Sequence, residues 1–369
     1  MYKYGASCCL SPTLSRSHEE CDGEREFRAA FPEFKRMAIS DIPGERLTLA
    51  QLRFLFDTRL KVRLESLIVL AMLSIAMSIL SPFFLSLSNF LNILLATSTI
   101  GVLAIAATLI LSAAGLDLSI GSVLGLSGVA GAWMVVQAGL PWPAAIVGCL
   151  GAGAFAGYVN GVLITRLRIP AFIVTLGMLG IARGAALILA PNGGAIYGLP
   201  GPVVYLGQGR PFGIPMPVII LMLTAIVAHF LLAYSRFGSH TLALGDSEVA
   251  ARATGIPVEG LRRKLYTLSG LLAGLAGMIF MARVNAGDPT AGLNYELTAI
   301  TAAIIGGTSL FGGRGSILGT MVGALIMGVL QNGLNLLAVQ SYYQQIAIGI
   351  VLILAVYIDQ FQSAREKKL

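Results

Sequence analysis

The sequence predicts an all-α, polytopic membrane protein with about ten transmembrane helices, and three observations carry that reading. Of 369 residues, 56 % are hydrophobic and only 12 % charged, whereas soluble domains average about 25 % charged. No Asp, Glu, Lys or Arg occurs in 66–116, 118–165 or 315–358. About 20 apolar residues cross a bilayer as a helix, and each long run is wide enough for two. Backbone polar groups in lipid must be satisfied within the segment, so these runs are helical rather than extended. Third, the basic residues fall on one side of the resulting topology. A soluble protein with buried helices is the competing reading, and runs of this length oppose it.

Residues 1–64 form a separate, polar block with eleven basic and nine acidic residues. It holds no apolar core of a cleaved signal peptide. It reads as a cytoplasmic N-terminal tail, with 47–64 able to lie on the membrane as an amphipathic helix. The transmembrane domain is 65–360, and 361–369 is a cytoplasmic C-terminal tail. Ten spans are expected at 66–87, 93–113, 119–138, 143–165, 171–190, 215–234, 264–284, 296–312, 316–337 and 342–359. The span at 296–312 is short and glycine-rich.

With the N-terminus inside, the inner loops hold Arg166, Arg168, Arg236, Arg252, Arg262, Arg263, Lys264 and Arg314. The outer loops hold Arg210, with Arg283 near an outer helix end. Lys and Arg mark cytoplasmic loops, so both termini are expected inside. The net charge of +7 belongs to these loops and does not call for nucleic acid.

One inner loop, 235–264, is dense in charge. Asp246 or Ser247 can cap a short helix there. Glu248 and Arg252 pair at i, i+4, and Gly255 followed by Pro257 ends the helix. The small side chains of Ala250, Ala251 and Ala253 allow another surface to approach closely. A loop that merely joins two spans is the alternative.

Within the apolar region a few polar residues stand out. Asp117 is the sole charge between Ser66 and Thr165, flanked by Gly115, Gly121, Ser119 and Ser122. A charge at membrane depth marks function by default, whereas an Asp at the interface would cap the next helix. Arg183 lies inside a span and must meet water, a carbonyl or a carboxylate. It either pairs statically or lines a polar route. Asn160 and Thr175, with Gln331, are further polar groups at depth, and such groups commonly bridge helices. "GSVLG" at 121–125 echoes "GSILG" at 315–319, a trace of internal duplication such as transporters show.

Catalysis finds no support. There is no phosphate loop, H-E-x-x-H, C-x-x-C or G-x-S-x-G. The histidines are His18, His229 and His240, and Cys8, Cys9, Cys21 and Cys149 fit neither a disulfide framework nor a zinc site. No catalytic residue and no metal site is expected.

Five ordered strings, "GLDLSIGS", "TLGMLGIARG", "ALGDSEVAARATGI", "LSGLLAGLAG" and "YELTAITAAIIGGTSLFGGRGSILGT", together resemble bacterial ABC importer permeases of the ribose/xylose/arabinose/galactose type. Branched-chain amino acid permeases are a more distant sister group. The resemblance runs from about 65 to 360. It implies an ABC importer permease fold in the bacterial inner membrane, working as a homo- or heterodimer of permease copies. It also implies a separate ABC ATPase subunit, which would bind ATP and Mg, and a periplasmic sugar-binding protein. This chain itself would carry no cofactor. Gly245, Asp246, Glu248, Ala250, Ala251, Arg252 and Gly255 would form the loop that docks on the ATPase. Asp246-Ser247 departs from the Gly-Asn common in the family. Asp117, Ser119, Ser122, Asn160, Thr175 and Arg183 are the candidates for the translocation pathway. Another small polar solute, such as a branched-chain amino acid or nucleoside, is the nearest alternative. An ion-coupled secondary transporter would need a membrane-embedded acid, and the two candidates, Asp117 and Glu296, both lie near span ends.

Overall fold

A computed structural model describes residues 64–366, with side chains to 361. The polar block 1–63, including the proposed surface helix at 47–64 up to its last residue, lies outside the described residues. The helices are α1 (Leu64–Leu80), α2 (Leu87–Ser112), α3 (Ile120–Val136), α4 (Pro143–Arg166), α5 (Ala171–Leu189), α6 (Gly201–Gln208), α7 (Met216–Tyr234), α8 (Arg236–Asp246), α9 (Glu248–Ala253), α10 (Val258–Val284), α11 (Tyr295–Ile305), α12 (Ile317–Leu336) and α13 (Ser341–Glu366). Each of the ten expected spans corresponds to a helix. Seven helices are long and apolar enough to cross a membrane, and α1, α3 and α11 are shorter. Four of the helices begin on a serine whose hydroxyl accepts a backbone N–H three residues on. These are Ser86, Ser235, Ser247 and Ser316, each satisfying one orphan donor of its first turn.

α2 is the core helix, and nearly all of it from Thr97 to Ser112 is buried. The closest helix pair is α4 with α10. Gly153 and Gly157 of α4 face Gly270 and Gly274 of α10, and a Cβ on any of the four would strike the opposite backbone. Two small-xxx-small faces in register let the helix axes approach until backbones touch, the way membrane helices gain packing without a hydrophobic drive.

The expected span at 296–312 is corrected. Its helix, α11, has 11 residues, ~16 Å by helical rise, about half of a bilayer core. The missing length comes from irregular chain before it. After α10 the chain pairs briefly with 196–197, as Ile196 opposite Gly287 and Tyr197 opposite Ala286. It then runs down the glycine face of α3. Gly287 packs on Ala132 and Gly128, the carbonyls of Pro289 and Ala291 face Gly125, and Gly292 meets the backbone of Gly121. A GxxxG face, which ordinarily receives a helix, here receives re-entrant backbone. A second break, 113–119, separates α2 from α3. Helix α6 was not foreseen: 201–208 reads as loop in the sequence, but it packs on the end of α10, where Gln208 Nε2 donates to the Arg283 carbonyl at 3.0 Å.

Candidate functional site

Three places in this fold bring functional side chains together: the polar segment at the basic end, the 113–119 break, and the re-entrant segment 286–296.

At the basic end, α8 and α9 form an elbow between α7 and α10. Ser247, not Asp246, caps α9; Asp246 closes α8 and is exposed. Gly245 is buried, and a Cβ there would overlap the Ser112 carbonyl and, at 2.5 Å, the Gly313 nitrogen. The elbow therefore rests directly on the start of the 113–119 break and on the 306–316 loop. Gly255 sits at φ +82°, a left-handed conformation that glycine adopts without Cβ strain, and it ends α9 as expected. Glu248 accepts from Arg252 Nε and Nη2 at 3.2 and 2.8 Å and from Arg262 Nη2 at 2.5 Å. Arg252 Nη1 also reaches Glu259 at 2.6 Å. The hydrogen bonds from Arg252, more than those from Arg262, hold the Glu248 carboxyl below its usual range. This network ties α9 to the first turn of α10 and borders a cavity of about 650 Å³ that reaches Ala113–Gly115 and Arg168.

The face that α9 turns outward differs from the sequence expectation. Ala251 is 2 % exposed and packs inward, so it is not a residue on which a partner would seat. The outward face carries Val249, 80 % exposed, with Ala250 and Ala253.

In the 113–119 break, Asp117 is 4 % exposed. Its Oδ1 accepts the backbone N–H of Ser119 at 3.0 Å and the Ser119 hydroxyl at 2.6 Å, and its Oδ2 accepts the Ser269 hydroxyl of α10 at 2.9 Å. Asn160 Nδ2 of α4 donates to Ser119 Oγ at 3.0 Å, and the Tyr266 hydroxyl donates to the Leu116 carbonyl at 3.1 Å. The break is thus bolted to α4 and α10. Ser119 begins α3 without a side-chain cap bond, because its hydroxyl goes to Asp117. Ser122 is buried, and Thr175 is buried with its hydroxyl on the Ala171 carbonyl at 3.0 Å. Five of the six pathway candidates, Asp117, Ser119, Ser122, Asn160 and Thr175, are therefore enclosed within the subunit in this structure. Of these, Asp117, Ser119 and Asn160 tie the break to α4 and α10.

Arg183, the sixth, is half-buried. Its Nη1 donates to the Pro289 carbonyl and, at 2.8 Å, to the Ala291 carbonyl. Of the two readings open to it, the geometry matches the carbonyl contact: it fastens α5 to the re-entrant segment. Directly below lies a residue absent from the sequence-based site. Glu296 opens α11, and its carboxylate rests on Gly121. It is half-buried, next to exposed Asn294 and Leu297. Its signal in the sequence is a lone acid at the margin of an apolar run, and a full-length span over 296–312 would put that margin at the membrane surface. Among the described residues no group of His, Cys, Asp and Glu is arranged to hold a metal.

Comparison with known proteins fits this architecture. The family model described as "Branched-chain amino acid transport system / permease component" matches residues 89–356. The chain is similar to the ribose import permease protein of Escherichia coli K12, at 42 % identity over 80 % of this chain and 92 % of the relative. It is equally similar to that of Bacillus subtilis 168, at 42 % over 87 % and 99 %. The D-allose transport system permease protein of E. coli K12 is 36 % identical over 80 % and 90 %. No solved structure gives a significant match.

Proposed function

The chain belongs to the permease-component family of branched-chain amino acid transport systems, and from that premise we propose that it is the membrane subunit of an ATP-driven monosaccharide importer. The relatives it resembles along nearly their whole length carry ribose and allose in their names, which supports a pentose or hexose as cargo. D-ribose is the first sugar to test. The relatives are named as permease proteins, which supports a transporter and not an enzyme; ATP and Mg belong to a separate ATPase. A periplasmic binding protein delivers the sugar, and a second permease copy completes the route. The basic end faces the cytoplasm of a bacterial inner membrane, by the positive-inside rule.

The observation that carries the mechanism is the elbow at the basic end. α9 offers Val249, Ala250 and Ala253 to a partner, while Gly245 and the Glu248–Arg262 pair anchor its other side to α2, the 306–316 loop and α10. A push on α9 by a closing ATPase is delivered to both irregular connections that adjoin the core helix. A rigid helix bearing on bistable breaks is the kind of element that switches access between two sides.

The test is purification of the complex from its native membrane in mild detergent. A stoichiometric ATPase is expected to follow the chain. With Val249→Asp, ATPase recovery should drop at least about tenfold, because burying an unpaired charge costs a few kcal/mol. Recovery equal to wild type would remove the docking role. A chain that purifies alone and moves solute in liposomes without ATP would overturn the importer reading.

A further inference from the structure

We propose that Glu296 lines the solute route and accepts hydrogen bonds from the hydroxyl groups of the passing sugar. The proposal rests on the monosaccharide reading above and names a residue for it.

The argument begins with depth. Gly121, against which the Glu296 carboxylate rests, lies ~22 Å by helical rise from Val136 at the far end of α3. Ser119 bonds Asn160, and Asn160 lies ~9 Å by helical rise from Arg166 at the basic end of α4. Glu296 therefore lies between the two helix ends, near a level ~9 Å from the basic end of α4 and ~22 Å from the far end of α3 by helical rise.

The second step is its partners. Glu296 has no ion pair within 4 Å among the described residues, and no side chain there donates a hydrogen bond to it. Arg183 is the cation whose charge it feels, but that guanidinium donates to the carbonyls of Pro289 and Ala291. Glu296 is also partly accessible, as are its neighbours Asn294 and Leu297. An accessible carboxylate at this depth must face water or a polar ligand, because lipid offers it no donor. The backbone reaches the same conclusion independently. Irregular chain at membrane depth is tolerated only where it is buried in protein or lines a water-filled cavity, and residues 290 and 293–294 of the re-entrant segment are exposed.

The third step is chemistry. A carboxylate presents two acceptor oxygens. A monosaccharide carries several hydroxyl donors and no charge. Adjacent Asn294 supplies both a donor and an acceptor. This pairing suits a polyhydroxylated neutral solute better than an anion.

The experiment uses the full chain with its ATPase and binding protein in proteoliposomes. In a background with the four cysteines replaced by Ala, Glu296→Cys and Asn294→Cys are treated with a charged, water-soluble methanethiosulfonate. The control is Ile353→Cys, at a position 70 % exposed on α13. Thiol modification needs the thiolate and hence water, so both test positions should react at least about tenfold faster than the control. Equal, slow reaction at all three positions would overturn the proposal. Asn294→Cys keeps the test decisive where substitution of Glu296 prevents folding. Separately, Glu296→Gln should lower uptake of labelled D-ribose about tenfold, the effect of one charged hydrogen bond. Unchanged uptake would count equally against it. If the wild-type complex carries no monosaccharide at all, the sugar reading falls, while thiol reactivity still decides whether Glu296 lines a route.

Discussion

Asp117 and Glu296 occupy matching situations and have opposite surroundings. Each sits where a helix gives way to irregular backbone at membrane depth, Asp117 just before α3 and Glu296 at the start of α11. Asp117 is saturated by two hydroxyls and one backbone N–H and is closed to solvent. Glu296 is half open and receives no side-chain donor. The same functional group thus serves two purposes. Where the fold supplies donors to both oxygens, the carboxylate organises the fold. Where the fold leaves lone pairs unmet, the carboxylate is available to something that passes.

The sharpest way to break this comparison is to remove the carboxylate that is satisfied. Asp117→Ala leaves the Ser119 and Ser269 hydroxyls and one buried N–H without their acceptor, each such loss costing about 1–3 kcal/mol. A total destabilisation of ~3 kcal/mol or more is expected, seen as a large drop in thermal stability of the detergent-purified chain. Glu296→Gln in the same assay should stay near wild type. Equal destabilisation by both variants would erase the distinction.

Arg183 gives the next largest effect, because it holds the segment on which Glu296 rides. Arg183→Ala frees the carbonyls of Pro289 and Ala291, at a cost of ~2 kcal/mol for lost charged hydrogen bonds. Transport should fall too, since the re-entrant segment then loosens from α5. Arg183→Lys should restore only part of the stability, because the shorter lysine stem does not bring its ammonium to the position of the Nη1 that donates to both carbonyls. Wild-type stability in Arg183→Ala would mean the segment is held by its packing on α3 alone.

How far the sequence foretold this arrangement differs from element to element. Long apolar runs located every long helix, because lipid imposes helix on an apolar segment of that length, although α2 and α10 begin earlier and α13 ends later than the expected spans. The same logic misled at 296–312. Hydropathy cannot separate a helix that crosses from a half-helix continued by buried loop, since both are apolar. Glu296 was consequently set at the surface. The face of α9 was also illegible. In a helix of six residues, which side turns inward depends on where the α8–α9 elbow meets the rest of the fold, here through Gly245 against Ser112. The pattern of small side chains points to Ala251 and passes over Val249. The polar groups at depth stand out in the sequence, but their direction is a tertiary property. Asp117, Asn160 and Ser269 come from three separate elements.

The smallest expected effect tests the edge of the satisfied network. Asn160 donates to Ser119 Oγ, yet its own Oδ1 is buried without a partner. Asn160→Leu removes one hydrogen bond and one orphaned acceptor together. Ser119 Oγ keeps its bond to Asp117 and needs no second partner. The net change is one lost neutral hydrogen bond, offset by removal of the orphaned acceptor and leaving no polar group unsatisfied at Ser119, and Leu fills a similar volume. The change in stability should be within about 1 kcal/mol, checked by thermal unfolding beside Asp117→Ala. A loss approaching that of Asp117→Ala would show that the network acts as one cooperative unit, with Asn160 and not Asp117 alone fixing the break. A small loss assigns the organising role to the carboxylate, the role that distinguishes it from Glu296.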